Sequence, residues 1–328
     1  MGHPPDHRRQ DHLGRAVPAD ELRMTNDARG VNTDAVKEAT ATGRSRALGL
    51  VFPPAGDRYT GMQLDFVGRV AEAAQAYDYD VLLTTGREVS DAPFQRILAG
   101  HRVDGLILME IRLADARAVH LTELGFPFVA IGQSGLENTW WVDLDWVALG
   151  RACVRQLADL GHRRIAFVNR SEQLFRAGYE SAHRGLEGFN QGVAELGLTG
   201  HAYLCGDDAA SGERCLERIL LEDPATTALV TLNEASLGGV YRGLTRAGRV
   251  VPRDFSVVGL SAGPWAESVI PPLTAVDEPV GEICQAAVEL LMERLDTRCA
   301  APRQVMLRPL ISIRSSTGRC RSVPGAEF

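Results

Sequence analysis

The sequence predicts an α/β fold of two lobes in series, each a doubly wound parallel sheet, with a cleft between them. Three observations predict it. Short continuous apolar runs alternate with helical spacings along both halves of the chain, as expected of parallel strands covered on both faces. The 328 residues, 45% hydrophobic, suffice for two moderate cores. At mid-chain, Leu157 to Val168 reads as a helix end, a glycine, the basic triplet His162-Arg163-Arg164 and a buried strand, leaving no room for a long loop.

In the first half, Ala47 to Phe52 is an apolar strand ended by Pro53 and Pro54, Met62 to Tyr77 has helical spacing, and Val81 to Thr84 is strand-like. Ile97 to Gly100 closes a helix, Val103 to Met109 forms a strand, Ala114 to Leu124 a helix and Phe126 to Ile131 a strand. The second half repeats the plan. Leu149 to Leu160 is a helix, Arg164 to Val168 a strand, and Glu187 to Leu196 a helix with Gly197 placed to cap it. Thr227 to Thr231 and Phe255 to Gly259 are strands on either side of a helix from Leu237 to Ala247, and Val280 to Leu295 is a final amphipathic helix. Sheets of this kind bind ligands at the carboxyl ends of their strands, so the inter-lobe cleft is the expected site.

Composition removes several functions. Lys37 is the sole lysine and lies before the first strand, so the core offers no amine for a Schiff base and no phosphate-cradling GK[ST] loop. The six cysteines form no CxxC pair and no metal-like spacing with histidine. Neither a metal, a cofactor nor a disulfide framework is therefore expected. No apolar run has bilayer length, and Met1 to Ala19 lacks a signal-type hydrophobic stretch, which points to the cytoplasm and to no membrane partner. Met1 to Arg46 is polar and carries both charge signs, with apolar residues too sparse for a core, so most of it is expected to be disordered. A net charge of −7 argues against coating nucleic acid with the whole surface, though a small basic module remains compatible with it.

The wording of the elements then carries a resemblance. GRSRALGLVFP, RVDGLILM, GFPFVAIGQ, the acidic VDLD, LADLGHRRIAFV, GFNQGVAELGL, LVTLNEASLGG, VPRDFSVVGL, PPLTAVDEP and LISIRSSTG occur in one order over about residues 43 to 318. Together they resemble the effector-binding core of LacI/GalR-type transcriptional regulators, and GFPFVAIG with WVDLD is most similar to regulators of α-glucoside use. The resemblance implies two periplasmic-binding-protein-like (type I) lobes joined by three crossovers, a sugar or related metabolite in the cleft, and a homodimer built on Met62 to Tyr77 and Val280 to Leu295. It implies a first lobe of 47–158 plus 274–296, a second lobe of 159–273 plus 303–315, an N-terminal segment 1–46 and a tail 316–328.

Two departures qualify it. Members begin with a helix-turn-helix head and hinge helix, needing roughly 55 to 60 residues, whereas 46 precede the core here. Gly30 to Ala39 is similar to a recognition helix but runs almost directly into Thr42 to Arg46. A degenerate or truncated head is expected, with operator DNA an uncertain partner and Arg44 and Arg46 its weak candidate contacts. In the cleft, the aspartate that usually follows the SVVG strand is replaced by Gly259-Leu260-Ser261-Ala262, and the usual pocket arginine falls at Gly185, with Arg184 beside it. Asn233 and Glu278 fall where the family has polar ligand contacts, and Tyr59 lies in a loop that opens into the cleft. Glu110 and Gln133 end strands, facing either ligand or surface. Trp265, ahead of Trp140, Trp141 and Trp146, is the preferred ring for stacking on a sugar, unless it packs beneath the loop at Pro264.

Two other classes compete. Gly259-Leu-Ser261-Ala-Gly263 satisfies G-x-S-x-G after a strand, as in a serine hydrolase, but the last histidine is His201, upstream of Ser261, and Pro264 interrupts the helix that should follow. A sugar-binding protein of the solute-binding class, cytoplasmic or exported, would share the cleft. His162, at a helix-to-strand turn, reads as a structural hydrogen-bonding residue.

Overall fold

The chain divides into residues 1–43 and a unit of residues 44–328. The computed structural model describes residues 44–52, 61–261, 266–296 and 301–320. The expected disorder of the N-terminal segment and its resemblance to a recognition helix lie outside these residues.

The first sheet contains β1 (Ala47–Phe52), β2 (Asp80–Thr85), β3 (Gly105–Leu108), β4 (Phe128–Ile131), β5 (Trp141–Leu144) and β11 (Gln304–Leu307), in the order β11-β5-β4-β3-β1-β2. Every pairing in it is parallel. The second sheet contains β6 (Arg164–Asn169), β7 (Thr199–Leu204), β8 (Ala228–Thr231), β9 (Ser256–Ser261), β10 (Thr274–Asp277) and β12 (Ile311–Ser312), in the order β12-β10-β9-β8-β6-β7. Only β12 runs antiparallel to its neighbour β10.

The apolar runs become strands because both faces of each sheet are covered. In β1, Leu48, Leu50 and Phe52 join the core beneath α1 (Gly61–Gln75) and α9 (Val280–Asp296). Val51, on the opposite face, joins Phe94 and Ile97 of α2 (Ala92–Ala99) and Leu121 of α3 (Ala116–Glu123). The second lobe repeats this alternation. Ile165 and Phe167 of β6 meet α4 (Trp146–Asp159) and α6 (Glu180–Glu195). Ala166 and Val168 meet α7 (Ala209–Glu222) and α8 (Leu237–Arg246). The short α5 (Glu172–Arg176) precedes α6.

The helices α4 and α6 cross at backbone contact. A Cβ on Gly188 would lie 2.1 Å from the Val147 carbonyl oxygen, and one on Gly150 would lie 2.6 Å from that of Gly185, so only glycine fits either place.

The lobe boundaries are corrected. Helix α4 packs on the second sheet through Leu149, Cys153, Val154 and Leu157, so the first crossing falls near Asp145 and not at 158. Residues 274–277 pair with β9 in the second sheet, and only α9 returns to the first lobe. Residues 304–307 pair with β5 in the first sheet, and only the chain from Ile311 onward belongs to the second. The expected tail is also part of the second lobe as far as Cys320: Ser316 is fully buried and the Cys320 amide donates to the Leu160 carbonyl at 2.8 Å.

The mid-chain turn forms as the sequence indicates. Gly161 ends α4 at φ +91°, a left-handed value. His162 is buried, with Nδ1 2.9 Å from Thr227 Oγ1 and Nε2 2.9 Å from Ser256 Oγ. Its pKa is lowered by burial, which favours the neutral ring.

Candidate functional site

A cavity of about 870 Å³ lies between the lobes, walled by the carboxyl ends of strands from both sheets. The first lobe contributes Glu110 after β3, Gly132 after β4 and Asp143 within β5; the second contributes Arg170 after β6, Asn233 after β8, Leu260 in β9 and Glu278 after β10. Near Asp143 and Trp146 the chain first crosses between lobes, and it recrosses at Glu278, so the cavity abuts the hinge. Backbone also joins the lobes elsewhere: Leu113 N–H donates to Gly178 at 2.9 Å and Glu180 N–H to Ile111 at 3.0 Å, around an antiparallel bridge between Arg112 and Tyr179.

The core of the site is a buried acid pair. Asp143, 3% exposed, accepts from its neighbour Leu144 N–H at 2.8 Å, from Trp146 Nε1 at 2.9 Å and from Gln133 Nε2 at 2.9 Å. Across the cleft, Glu180, 2% exposed, pairs with Arg184 and adjoins Asp143. Burial raises Asp143 to about 6 against these donors, and burial with the neighbouring Asp143 raises Glu180 to about 9. Burial and mutual repulsion thus push both carboxyls of the pair upward, towards the protonated form. Burial, then Glu234, Asp143 and Glu110, raise Glu278 to about 8. The Trp146 indole, its N–H fixed on Asp143, leaves ring surface on the cavity wall.

A second network shapes the wall. Asp115 caps α3 by accepting from the Arg117 amide at 3.0 Å. The guanidinium of Arg117, 2% exposed, returns to Asp115 at 2.9 and 2.7 Å. It also donates to the carbonyls of Gly86 at 3.0 Å and of Met109 and Glu110 at 3.1 Å each. These bonds hold Glu110 at φ +51°, a left-handed conformation uncommon outside glycine, with its carboxyl on the cavity and 3.4 Å from Gln63 Nε2.

Of the sequence candidates, Glu110, Asn233 and Glu278 line the cavity. Asn233 is corrected in role. Its Nδ2 donates to the Cys205 carbonyl at 2.9 Å and to those of Asn169 and Gly206, and its Oδ1 accepts from Ser236 N–H at 3.2 Å. Its amide is consumed in pinning the second-lobe loops. Gln133 and Arg184 stand behind the cavity, where they hold Asp143 and Glu180. Gly185 cannot substitute for a pocket arginine, since a Cβ there would lie 2.2 Å from Leu232 Cδ1.

Ser261 ends β9, and nothing is described of its side chain; Tyr59 and Trp265 lie outside the described residues. Trp140 is buried in the first-lobe core and Trp141 packs against that lobe's other face, which removes Trp140 as a stacking ring; among the described tryptophans Trp146 lines the cavity. Arg44 pairs with Asp296 at 3.2 Å and Arg46 sits 5.7 Å from the Tyr79 ring centre, so both candidate DNA contacts engage their own lobe. Sequence reasoning missed Asp143 and Glu180 as site residues; the signal available was an acid inside an apolar strand, in VDLDW.

Two sheets facing a polar cleft at a three-strand hinge define an effector-sensing core. The model of the periplasmic binding protein-like domain matches residues 154–317, half of the chain. The HTH-type transcriptional regulator CelR of Thermobifida fusca is 29% identical over 256 residues, 75% of this chain and 73% of that protein. The HTH-type transcriptional regulator AglR of Rhizobium meliloti is 26% identical over 305 residues, 88% and 83% respectively. Among solved structures, a transcriptional regulator CelR–cellobiose complex matches with TM-score 0.74 at 26% identity, over 86% of this chain and 90% of that one. The chain belongs to the LacI/GalR family of transcriptional regulators and is a ligand-responsive regulator of that kind.

Proposed function

We propose that the cleft binds a sugar effector of disaccharide size and that binding favours one arrangement of the lobes over another, which is the regulatory signal. The observation that carries this is Trp146. An indole locked by Asp143 presents a flat apolar surface inside a cavity otherwise rich in hydrogen-bonding groups, the combination a pyranose requires. The related CelR, solved with cellobiose, supports the reading. As a regulator the protein acts in the cytoplasm, as a homodimer and without catalysis; among the described residues no helix is long and apolar enough to cross a membrane.

The test is a thermal-shift panel of cellobiose, maltose, sucrose and raffinose on the full chain. Binding to the native state alone raises the melting temperature, by an amount equivalent to about 2.7 kcal/mol at a hundredfold excess over Kd. At least one sugar is expected to act this way, and Trp146→Ala to abolish the shift while the protein still melts cooperatively. A shift unchanged in that variant would refute the placement, and no shift with any sugar would refute the class of ligand.

A further inference from the structure

We propose that the cleft is selective for a sugar carrying a protonated amine, an amino sugar, and that Glu278 is the residue that holds the ammonium group. This rests on the reading of the cleft as the sugar site and concerns which sugars it prefers. The charge on the cavity wall is lopsided. Glu110, Asp143, Glu180, Glu234 and Glu278 line it from both lobes, against two arginines, Arg87 and Arg170, of which Arg170 is paired with Asp207 at 3.3 Å.

Three of these acids have partners: Asp143 takes three N–H groups, Glu180 pairs with Arg184 and Glu110 lies 3.4 Å from Gln63 Nε2. The Glu278 carboxyl has neither a hydrogen bond nor an ion pair with any described residue. It lines the cavity, and the largest charges acting on it are three acids, Glu234, Asp143 and Glu110, opposed by Arg170. An acid so placed resists ionisation until a cation arrives. With Glu278 held neutral by burial, a hydroxyl pairs with it but leaves the negative charge of the other wall acids unbalanced, an anionic ligand adds to that charge, and an ammonium group offsets it. The nearby Trp146 ring adds a surface that also favours a cation.

Matched pairs test this: glucose with glucosamine, galactose with galactosamine, and cellobiose with the β-1,4-linked glucosamine dimer, each pair differing only in hydroxyl against ammonium. Calorimetry on the full chain at about pH 6.5 and low salt keeps the amines charged. In the pair that binds, the amine is expected to bind at least about tenfold more tightly, with the preference shrinking as salt is raised. In Glu278→Gln, with folding checked by its melting curve, the ratio of the two affinities is expected to fall to within about threefold. Neutral members binding as well as amines, or a preference that survives in Glu278→Gln, overturns the inference and leaves the sugar reading standing. Absence of binding by all six sugars overturns the inference, and the thermal-shift panel above then decides the sugar reading.

Discussion

Replacing Arg117 with methionine, which keeps the aliphatic bulk and removes the charge, should be among the most damaging single changes in the first lobe. Arg117 is 2% exposed and Asp115 is fully buried, so the variant strands a carboxylate that no water reaches. It also removes the donors to Gly86, Met109 and Glu110. Breaking a buried ion pair on one side costs about 3–5 kcal/mol, and the melting temperature should fall by roughly 10 °C.

The pH dependence identifies the cause. In the native protein burial pushes Asp115 up, but Arg117 and backbone N–H groups outweigh it and the net shift is downward. Such a group stabilises above its unfolded pKa, and that contribution is lost as pH falls through the folded value. Without Arg117, burial dominates and the sign reverses: the carboxyl becomes easier to accommodate as pH drops. The gap between variant and native protein should thus be widest near pH 7–8 and narrow towards about pH 5. Adding Asp115→Asn to Arg117→Met should recover part of the loss at pH 7. Melting by circular dichroism at the two pH values measures all of this. A variant that melts within about 2 °C of the native protein at pH 7, or a gap independent of pH, would show that the network does not hold the cleft wall.

Glu278→Gln offers an independent check on the empty cleft. The folded pKa of Glu278, about 8, lies above that of an ordinary glutamate, so its stabilising contribution is complete below about pH 4.5 and is lost as pH rises through 8. Without ligand, the variant should melt about 2–5 °C above the native protein at pH 8.5 and show no such gain at pH 5; a difference that does not change with pH contradicts the assigned charge environment. For assembly, α9 spends its apolar face on its own lobe, so the dimer proposal falls to α1 and the adjacent sheet edge, where Leu64, Tyr77 and Leu83 remain exposed. Leu64→Glu should shift sedimentation from dimer towards monomer at micromolar concentration, and a native protein that is monomeric there refutes the dimer.

What the sequence showed and what it hid follow from the range of the physics involved. Runs such as Ala47 to Phe52 announce themselves because burial on both faces makes every position apolar. The edge strand β7 escaped notice because His201 and Ala202 are exposed and its run is broken. Likewise β5 was legible as an acidic motif but not as a strand, since Asp143 interrupts its apolar pattern. The placement of β10 and β11 was misread because short extended segments look alike whichever sheet receives them; pairing partners decide, and these are distant in the chain. In the site, Glu110 was found by its position at a strand end and Glu278 by the family resemblance. The pairing of Asp143 with Glu180, and the reassignment of Gln133 and Arg184 to hold them, arise only when two lobes meet.

That meeting gives the site its mechanical sense. Asp143 and Trp146 flank the first crossing between lobes, and Glu278 occupies the second, between β10 and α9. The third lies between β11 and β12, where Leu307 and Leu310 carbonyls accept from Asp145 at 2.9 Å and Asp277 at 3.3 Å, so the crossings are bonded to one another. Arg314 reinforces them through Asp277 at 2.9 Å. On the proposed reading, a ligand that takes Asp143 and Glu180 as partners engages groups from both lobes beside the crossings. It can shift the balance of arrangements only by its difference in affinity between them. Asp143 and Glu180 come from different lobes, so on the proposed reading a ligand bonded to both is sensitive to how the lobes are arranged.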